Sequence, residues 1–435
     1  MVRCFRAGVP GALALALALA PAQPARAQLP SASSAALGFA DSYTGAARGY
    51  DAIALNPANL ALSGNPDGSL AFFPVRAFTG LGPVTLSEVA EYGGKMLPEN
   101  VRSTWLQRIQ SAPAGEQGDL GVDLTYAAVQ VGRVGFQLSS TAHGLTTLNG
   151  DAAQLILFGN ARNGQPQALT LGDSHINGEA TSTAAFSYAH PFAVGQTGAR
   201  VAVGGALKFT LGHVLAYGRD AGSHTSNVPL ELQVRFPVVL PDTGSYFNNG
   251  GGVGLDLGGA YEAGRLTLSA ALQNVFNTFG WNTSKLRFRS AEAIWTADSV
   301  TATTATDQPF VNAPTALQQQ VEGLSYKPVV RLGAAYRLRP RLVIDADVHH
   351  RFGDGGMQFD PQTHVGVGAQ YRVLSFVPVR AGAAVLTGGS QFGGGLGLEL
   401  GTFTMGGALV HRHMDGRGST ISMITLISSF PRLTK

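Results

Sequence analysis

From Lys327 to His413 the chain runs as successive segments of about ten to twelve residues, each alternating in polarity and each closed by a turn. In the stretch Arg341 to Phe352, Leu342, Ile344, Ala346 and Val348 fall on one side of an extended strand. Val343, Asp345, Asp347, His349 and Arg351 fall on the other, because a strand repeats every two residues. The preceding segment opposes Val330, Leu332, Ala334, Tyr336 and Leu338 to Arg331, Gly333, Ala335 and Arg337. The following one opposes Val365, Val367, Ala369, Tyr371 and Val373 to His364, Gly366, Gly368, Gln370 and Arg372. Repeated strands of this kind predict an all-β fold, a transmembrane antiparallel β-barrel with lipid outside and polar groups in the lumen.

Further strands are expected at 69–78, 119–130, 133–141, 179–190, 199–217, 251–262 and 265–276. With those of the central stretch (328–338, 341–352, 363–374, 377–387) and the last three (391–401, 402–412, 419–430), they make fourteen. Tight turns at Val131, Ala263, Arg339-Pro340, Leu374-Ser375 and Gly401, and a longer one at 191–198, alternate with longer connections such as 79–118, 388–390 and 413–418. Barrels keep short turns at one end and long loops at the other. That alternation holds only if 228–239 and 285–297 are loop hairpins; as staves they would raise the count to sixteen. Helical spacing of apolar residues, divided by Pro98, predicts two short helices within 85–114, and 151–158 reads as another.

A soluble sandwich alternates too, and composition separates the two. Charged residues are 13% of the chain, against roughly a quarter in soluble domains. The non-apolar face carries Gly, Ala, Ser and Thr more than Lys and Glu, and aromatics (Tyr261, Phe276, Trp281, Tyr336, Tyr371, Phe376, Phe392, Phe403) stand near strand ends as girdles require. The net charge of +3 is thinly spread and indicates no nucleic-acid partner.

Residues 1–27 read as a signal peptide: Arg3 and Arg6, an apolar run from Gly11 to Ala20, and Ala25-Arg26-Ala27 at the cleavage site, so the mature chain would begin at Gln28. The one cysteine, Cys4, lies within it, which leaves no thiol chemistry to the mature chain. Export with strands and without an apolar helical span points to the outer membrane of a two-membraned bacterium. The expected organisation is a segment at 28–66, a barrel at 67–430 and a tail at 431–435 that Pro431 keeps out of the last strand.

The first mature segment is rich in small residues; Asn56-Pro57 signals a turn, and Asp51 is expected to cap the short helical piece around it. With Gly45, Asp51-Ala52, Asn56-Pro57-Ala58 and Leu60, it resembles the start of the FadL-type outer-membrane barrels and their PorV-type relatives. The resemblance implies a hatch folded inside the lumen, with those seven residues as its gate, and a barrel of fourteen strands.

Asp256, Arg331, Arg337, Asp345, Asp347, His349, Arg351, His364, Arg372, Arg380 and Glu399 have the parity to line the lumen. They read first as an ion-pair lattice holding the hatch, since buried charges must be paired, and second as a polar passage. His349-His350 point to opposite faces and His411-x-His413 lacks a third ligand, so no metal site is expected. No cofactor is implied, and no nucleophile elbow or Ser–His pair suggests an enzyme. Three functions stay open. The preferred one is FadL-like passive uptake of a hydrophobic small molecule, with Leu37, Phe39, Tyr43, Ile53, Leu55 and Leu60 as the apolar hatch residues available to an apolar pocket. The others are a PorV-like accessory for exported proteins and a structural barrel in outer-membrane lipid.

Overall fold

The computed structural model describes residues 29–430 apart from 163–164, 195–197, 228–229, 243, 246, 297–299, 303–305, 354–356 and 358–359. The expected signal peptide, the start at Gln28 and the tail at 431–435 lie outside the described residues.

Fourteen antiparallel staves close into a barrel. The first, β1, is in two pieces, Gly68–Phe72 and Val75–Gly82. Then come β2 (Glu116–Val131), β3 (Val134–Leu148), β4 (His175–Val194), β5 (Ala199–Arg219), β6 (Gly250–Ala263) and β7 (Leu266–Asn277). β8 (Val329–Arg339), β9 (Leu342–Arg351), β10 (Thr363–Leu374) and β11 (Val377–Leu386) follow. β12 (Gly389–Leu400), β13 (Phe403–Met414) and β14 (Arg417–Phe430) complete the wall. Each stave pairs with the next, and β14 returns to both pieces of β1 with Gly68 opposite Phe430 and Val75 opposite Ile424. No edge is left unpaired. β1 breaks at Phe73-Pro74, where proline cannot donate to a ladder. Phe73 turns left-handed (φ 52°), and β1 spends one residue more than β14 between Ala71↔Ile427 and Val75↔Ile424.

The parity of the central stretch is realised. On β9, Asp345, Asp347 and His349 are buried while Ala346 and Val348 face out. Large apolar side chains such as Leu120, Leu207, Val385, Leu409 and Ile424 stand exposed around the wall, a continuous apolar surface of the kind that lipid covers. Trp281 departs from the girdle expectation. It is buried in a loop cluster with Phe279, Phe288, Phe310 and Tyr326.

One end of the barrel carries short turns and both termini of the wall. The other carries loops: α-helices at Leu86–Glu91, Glu99–Ser111, Gly150–Phe158 and Thr315–Glu322, and a separate four-stranded sheet that takes up Leu230–Arg235 and Glu292–Thr296. These are loop elements, so the count is fourteen. The helix at Leu86–Glu91 starts with a capping box, Thr85 with Glu88, and Arg108 of the next helix reaches the same glutamate at 2.5 Å. Trp105, Leu106 and Ile109 of that helix pack with Val84 and Ala153, burying the stripe that its helical spacing predicts. The wall is uneven. Thr387-Gly388 and Asp415-Gly416 are two-residue connections, shorter than the expected 388–390 and 413–418, because left-handed Gly388 and Gly416 let the strands run on.

Candidate functional site

The lumen is filled by residues from Leu29 to about Pro66, folded as a short helix at Ser34–Gly38, another at Asp51–Leu55 and a 3₁₀ turn at Pro57–Ala61. Nearly all of these residues are buried. Their small side chains let the backbone lie against the wall, and the wall has glycines where they meet. A Cβ on Gly382 would sit 2.3 Å from the carbonyl of Phe39; one on Gly333 would sit 2.6 Å from the Gly45 nitrogen, and one on Gly204 2.6 Å from the Ala58 nitrogen. Real Cβ atoms do not approach so closely, so close packing excludes a larger residue at these points unless the segment moves.

The segment's polar backbone is met by wall side chains. The Thr44 N–H donates to Asp347 Oδ2 at 2.8 Å and the Ala46 N–H to Asp345 Oδ2 at 2.7 Å. His364 Nε2 and Gln391 Nε2 both donate to the Ala40 carbonyl, at 2.9 and 2.8 Å. Gln273 Nε2 donates to the Ala54 carbonyl at 2.7 Å, and Ser269 Oγ donates to Asn59 Oδ1 at 2.8 Å. Asn56 works in both directions: its Oδ1 accepts from the Ala58 N–H, and its Nδ2 donates to the Gly259 carbonyl of β6 at 3.0 Å. Pro57 opens the turn that follows. Ala40 and Asp41 are both left-handed (φ 50° and 62°), which for non-glycine residues costs about 1–3 kcal/mol each. The contacts from β10 to β13 hold that bend in place.

Asp51 takes a different part from the expected cap. It is the first residue of its helix, not the residue before it, and its Oδ2 accepts from Ser33 Oγ at 3.0 Å. It thus ties the two helical pieces together. Ala52 and Leu60 pack into the apolar cluster of the segment with Ala128, Ala185 and Ala202 of the wall.

Charged groups are paired in several sets. Asp256 is paired with the fully buried Lys208 at 2.6 Å. Asp41 of the segment faces Arg76 and Arg412 at 3.6 and 3.8 Å, and Arg412 reaches on to Asp360 of the loop after β9 at 3.8 Å. Arg331, His349 and Asp347 form a chain at 3.2 and 3.1 Å, and the His349 ring stacks on His364 at 4.6 Å. Arg351 donates to the Asp360 carbonyl, and Arg380 to Gln370. Arg372 and Glu399 pair at 3.0 Å but lie partly exposed at the turn end. Arg337 does not line the lumen. It stands exposed beside the irregularity where β8 leaves the wall.

Above the segment, toward the loop end, lies a chamber of about 110 Å³ bounded by Asp41, Arg76, Asp123, Arg331, His349 and Arg412. It is polar. Of the six apolar residues expected to form an apolar pocket, Leu55 alone lines it. Leu37 packs on Val410 and Met423, Phe39 lies over Gly368 and Gly382, and Ile53 and Leu60 join the wall alanines. Close packing of a small-residue segment consumes the apolar side chains it has. A second cavity of about 200 Å³ lies at the loop end and adjoins the chamber, sharing Asp119, Glu179 and Met357 with it. Its outer lining includes Leu145, Leu215, Tyr217, Leu324 and Met414.

Glu179, Asp41, Arg76, Arg412 and Lys208 were missed by motif reasoning. Their inward parity was readable; their convergence on one chamber was not. Among the described residues no cluster of three or more His, Cys, Asp or Glu is arranged to hold a metal.

No family model matches the chain, and no curated protein matches it. Among solved structures it is similar to a deletion mutant of the TodX monoaromatic hydrocarbon channel, at 12% identity over 88% of this chain and 95% of that one, TM-score 0.47. It is likewise similar to the CymD monoaromatic hydrocarbon channel, at 11% identity over 92% and 97%, TM-score 0.46. The Pseudomonas putida toluene transporter TodX gives 12% identity over 93% and 98%, TM-score 0.45.

Proposed function

We propose that this barrel sits in an outer membrane as a passive conduit for small molecules that have an apolar part. The N-terminal segment is its gate, formed by Gly45, Asp51, Ala52, Asn56, Pro57, Ala58 and Leu60. The observation that carries this reading is the pair of adjoining cavities. One lies at the loop end and the other is floored by the segment. The segment is held by separable polar hooks and shape contacts, and the wall strands pair with each other without it. A displaced segment would therefore open the lumen while the barrel stays closed.

The charged groups in the chamber set the terms of passage. A pure hydrocarbon would lose little on entering past Leu215 and Leu324, then face Asp41, Arg76, Arg331 and Arg412. Desolvating such groups without replacing their partners is costly. The solutes that fit have an apolar body and at least one hydrogen-bonding or charged group. A second reading, a structural barrel whose segment stays in place, is favoured by the density of those hooks and by the absence of an apolar channel among the described residues.

The test is entry of a radiolabelled aromatic alcohol into intact cells making the protein, compared with cells making Leu324→Trp, which fills the outer cavity. Faster entry that Leu324→Trp abolishes supports the conduit. Equal entry with either protein and without it, both being present in the outer membrane, overturns the conduit in favour of the structural barrel.

A further inference from the structure

The geometry points to the loop-end cavity as a recognition site for organic cations, a compact apolar body bearing an ammonium group, with Glu179 as the counter-charge. Glu179 is buried, with 8% of its surface accessible, and its side chain lines both cavities at the point where they meet. Its carboxylate has one polar contact, the hydroxyl of Tyr326 at 3.4 Å. That hydroxyl also lies 3.2 Å from Thr181 Oγ1. Among the described residues no Arg, Lys or His forms an ion pair with Glu179. The neighbouring His143 is already engaged by Asp123 at 2.7 Å.

Two residues earlier on the same face of β4, Asn177 lines the same cavity, and its Oδ1 is buried without a hydrogen-bond partner. The carboxylate, held by one long contact, and the unpartnered Asn177 Oδ1 thus face one space. The wider charge balance agrees. Arg417 is matched by Asp119 at 3.4 Å and by Gln117 at 3.0 Å, which leaves Glu179 and the exposed Asp415 unmatched in the cavity lining. A buried carboxylate without a cation is unfavourable unless it is neutralised. An entering ammonium supplies that charge.

The rest of the lining suits the apolar body. Leu215 and Tyr217 are the cross-strand partners of Glu179 and Asn177 on β5, and Leu324 and Met357 close the opposite side. The Tyr217 ring is already engaged by Arg219, whose guanidinium lies 5.9 Å from its centroid, so the apolar contacts fall to Leu215, Leu324 and Met357. About 200 Å³ admits one small aromatic amine. This deepens the conduit reading by naming a solute class, but it is a statement about binding and stands or falls without transport.

The experiment is calorimetric titration of the full-length protein in detergent with benzylammonium, benzyl alcohol and benzoate at neutral pH, with detergent blanks subtracted. Heat-modifiable migration confirms the folded barrel in each variant. The wild type is expected to bind benzylammonium at least tenfold tighter than benzyl alcohol, and benzoate least. Glu179→Gln should remove the preference for the amine while keeping the alcohol affinity within about threefold. Equal affinity for amine and alcohol in the wild type would overturn the proposal by showing Glu179 neutral and silent. So would an amine preference that survives Glu179→Gln. If Glu179→Gln does not fold, the wild-type comparison of the three probes still decides. Amine binding without uptake in the cell assay would retain this site and sink the conduit.

Discussion

Replacing both Asp345 and Asp347 with alanine should free the middle of the luminal segment and leave the barrel intact. The two carboxylates accept the Ala46 and Thr44 N–H groups at 2.7 and 2.8 Å within the filled lumen. Each orphaned buried N–H costs about 1–3 kcal/mol, so the pair costs about 2–6 kcal/mol. Two effects pull the figure down. The carboxylates sit two residues apart and repel each other, and each has a second buried oxygen, Oδ1, with no hydrogen-bond partner, so removing them also removes a desolvation cost. A net of about 2–3 kcal/mol is the reasoned outcome. If the segment opens locally, its amide exchange should then rise roughly 30- to 150-fold over 40–50, taking 1.4 kcal/mol per factor of ten. Hydrogen–deuterium exchange with mass spectrometry on the detergent-solubilised protein reads this directly, and heat-modifiable migration reports the barrel. Unchanged protection over 40–50 in a folded barrel would refute the latch. Loss of the barrel itself would show that the two carboxylates hold the wall.

Three further expectations follow from the same geometry. Ala346→Arg puts a charge on the outer face of β9, at about 2–4 kcal/mol near the bilayer midplane. Its yield of folded barrel should fall well below that of Asp347→Asn, measured by heat-modifiable migration, and equal yields would mean that the outer face is not in lipid. Gly382→Leu drives a side chain into Phe39 and should raise exchange over 36–42 without changing the migration of the barrel; undisturbed protection there would mean that the wall yields instead. In the loops, Arg108 and the Thr85 N–H and hydroxyl hold the Glu88 carboxyl down to about 2. A depressed carboxyl stabilises above its ordinary value of 4.5 and loses that contribution as pH falls from there toward 2. Protease nicking between 83 and 115 should accordingly increase over that window in the wild type and stay flat with pH in Glu88→Gln.

The wall was readable because a strand's two-residue period survives any content of small residues. On β9 the order of Asp345, Ala346, Asp347 and Val348 fixes both faces without reference to a neighbour. Strand ends were less readable. β3 runs on to Leu148 and β4 starts at His175, beyond the expected 141 and 179, because the outer reaches of both staves are rich in Thr, Gly and Asn and carry no apolar alternation. The fate of Arg337 depended on a local irregularity in β8 that parity does not register. The luminal segment gave up its turn, through Asn56-Pro57, and its close packing, through its small residues. Its partners lie some 300 positions away, as with Thr44 and Asp347, and no local pattern names them. For the same reason the charged groups that meet in the chamber were hidden. Leu37, Phe39 and Ile53 read as pocket residues until the wall glycines and alanines were seen to take them up.

On the proposed function, the segment from Ser31 to Ser63 closes an otherwise open lumen. Planar-bilayer recording of the wild type and of a deletion of 31–63, each shown to be a folded barrel, tests it most directly. Small or absent conductance in the wild type and large, stable, ohmic steps in the deletion are expected. Equal conductance in the two would mean that the lumen is shut by something other than the segment that fills it.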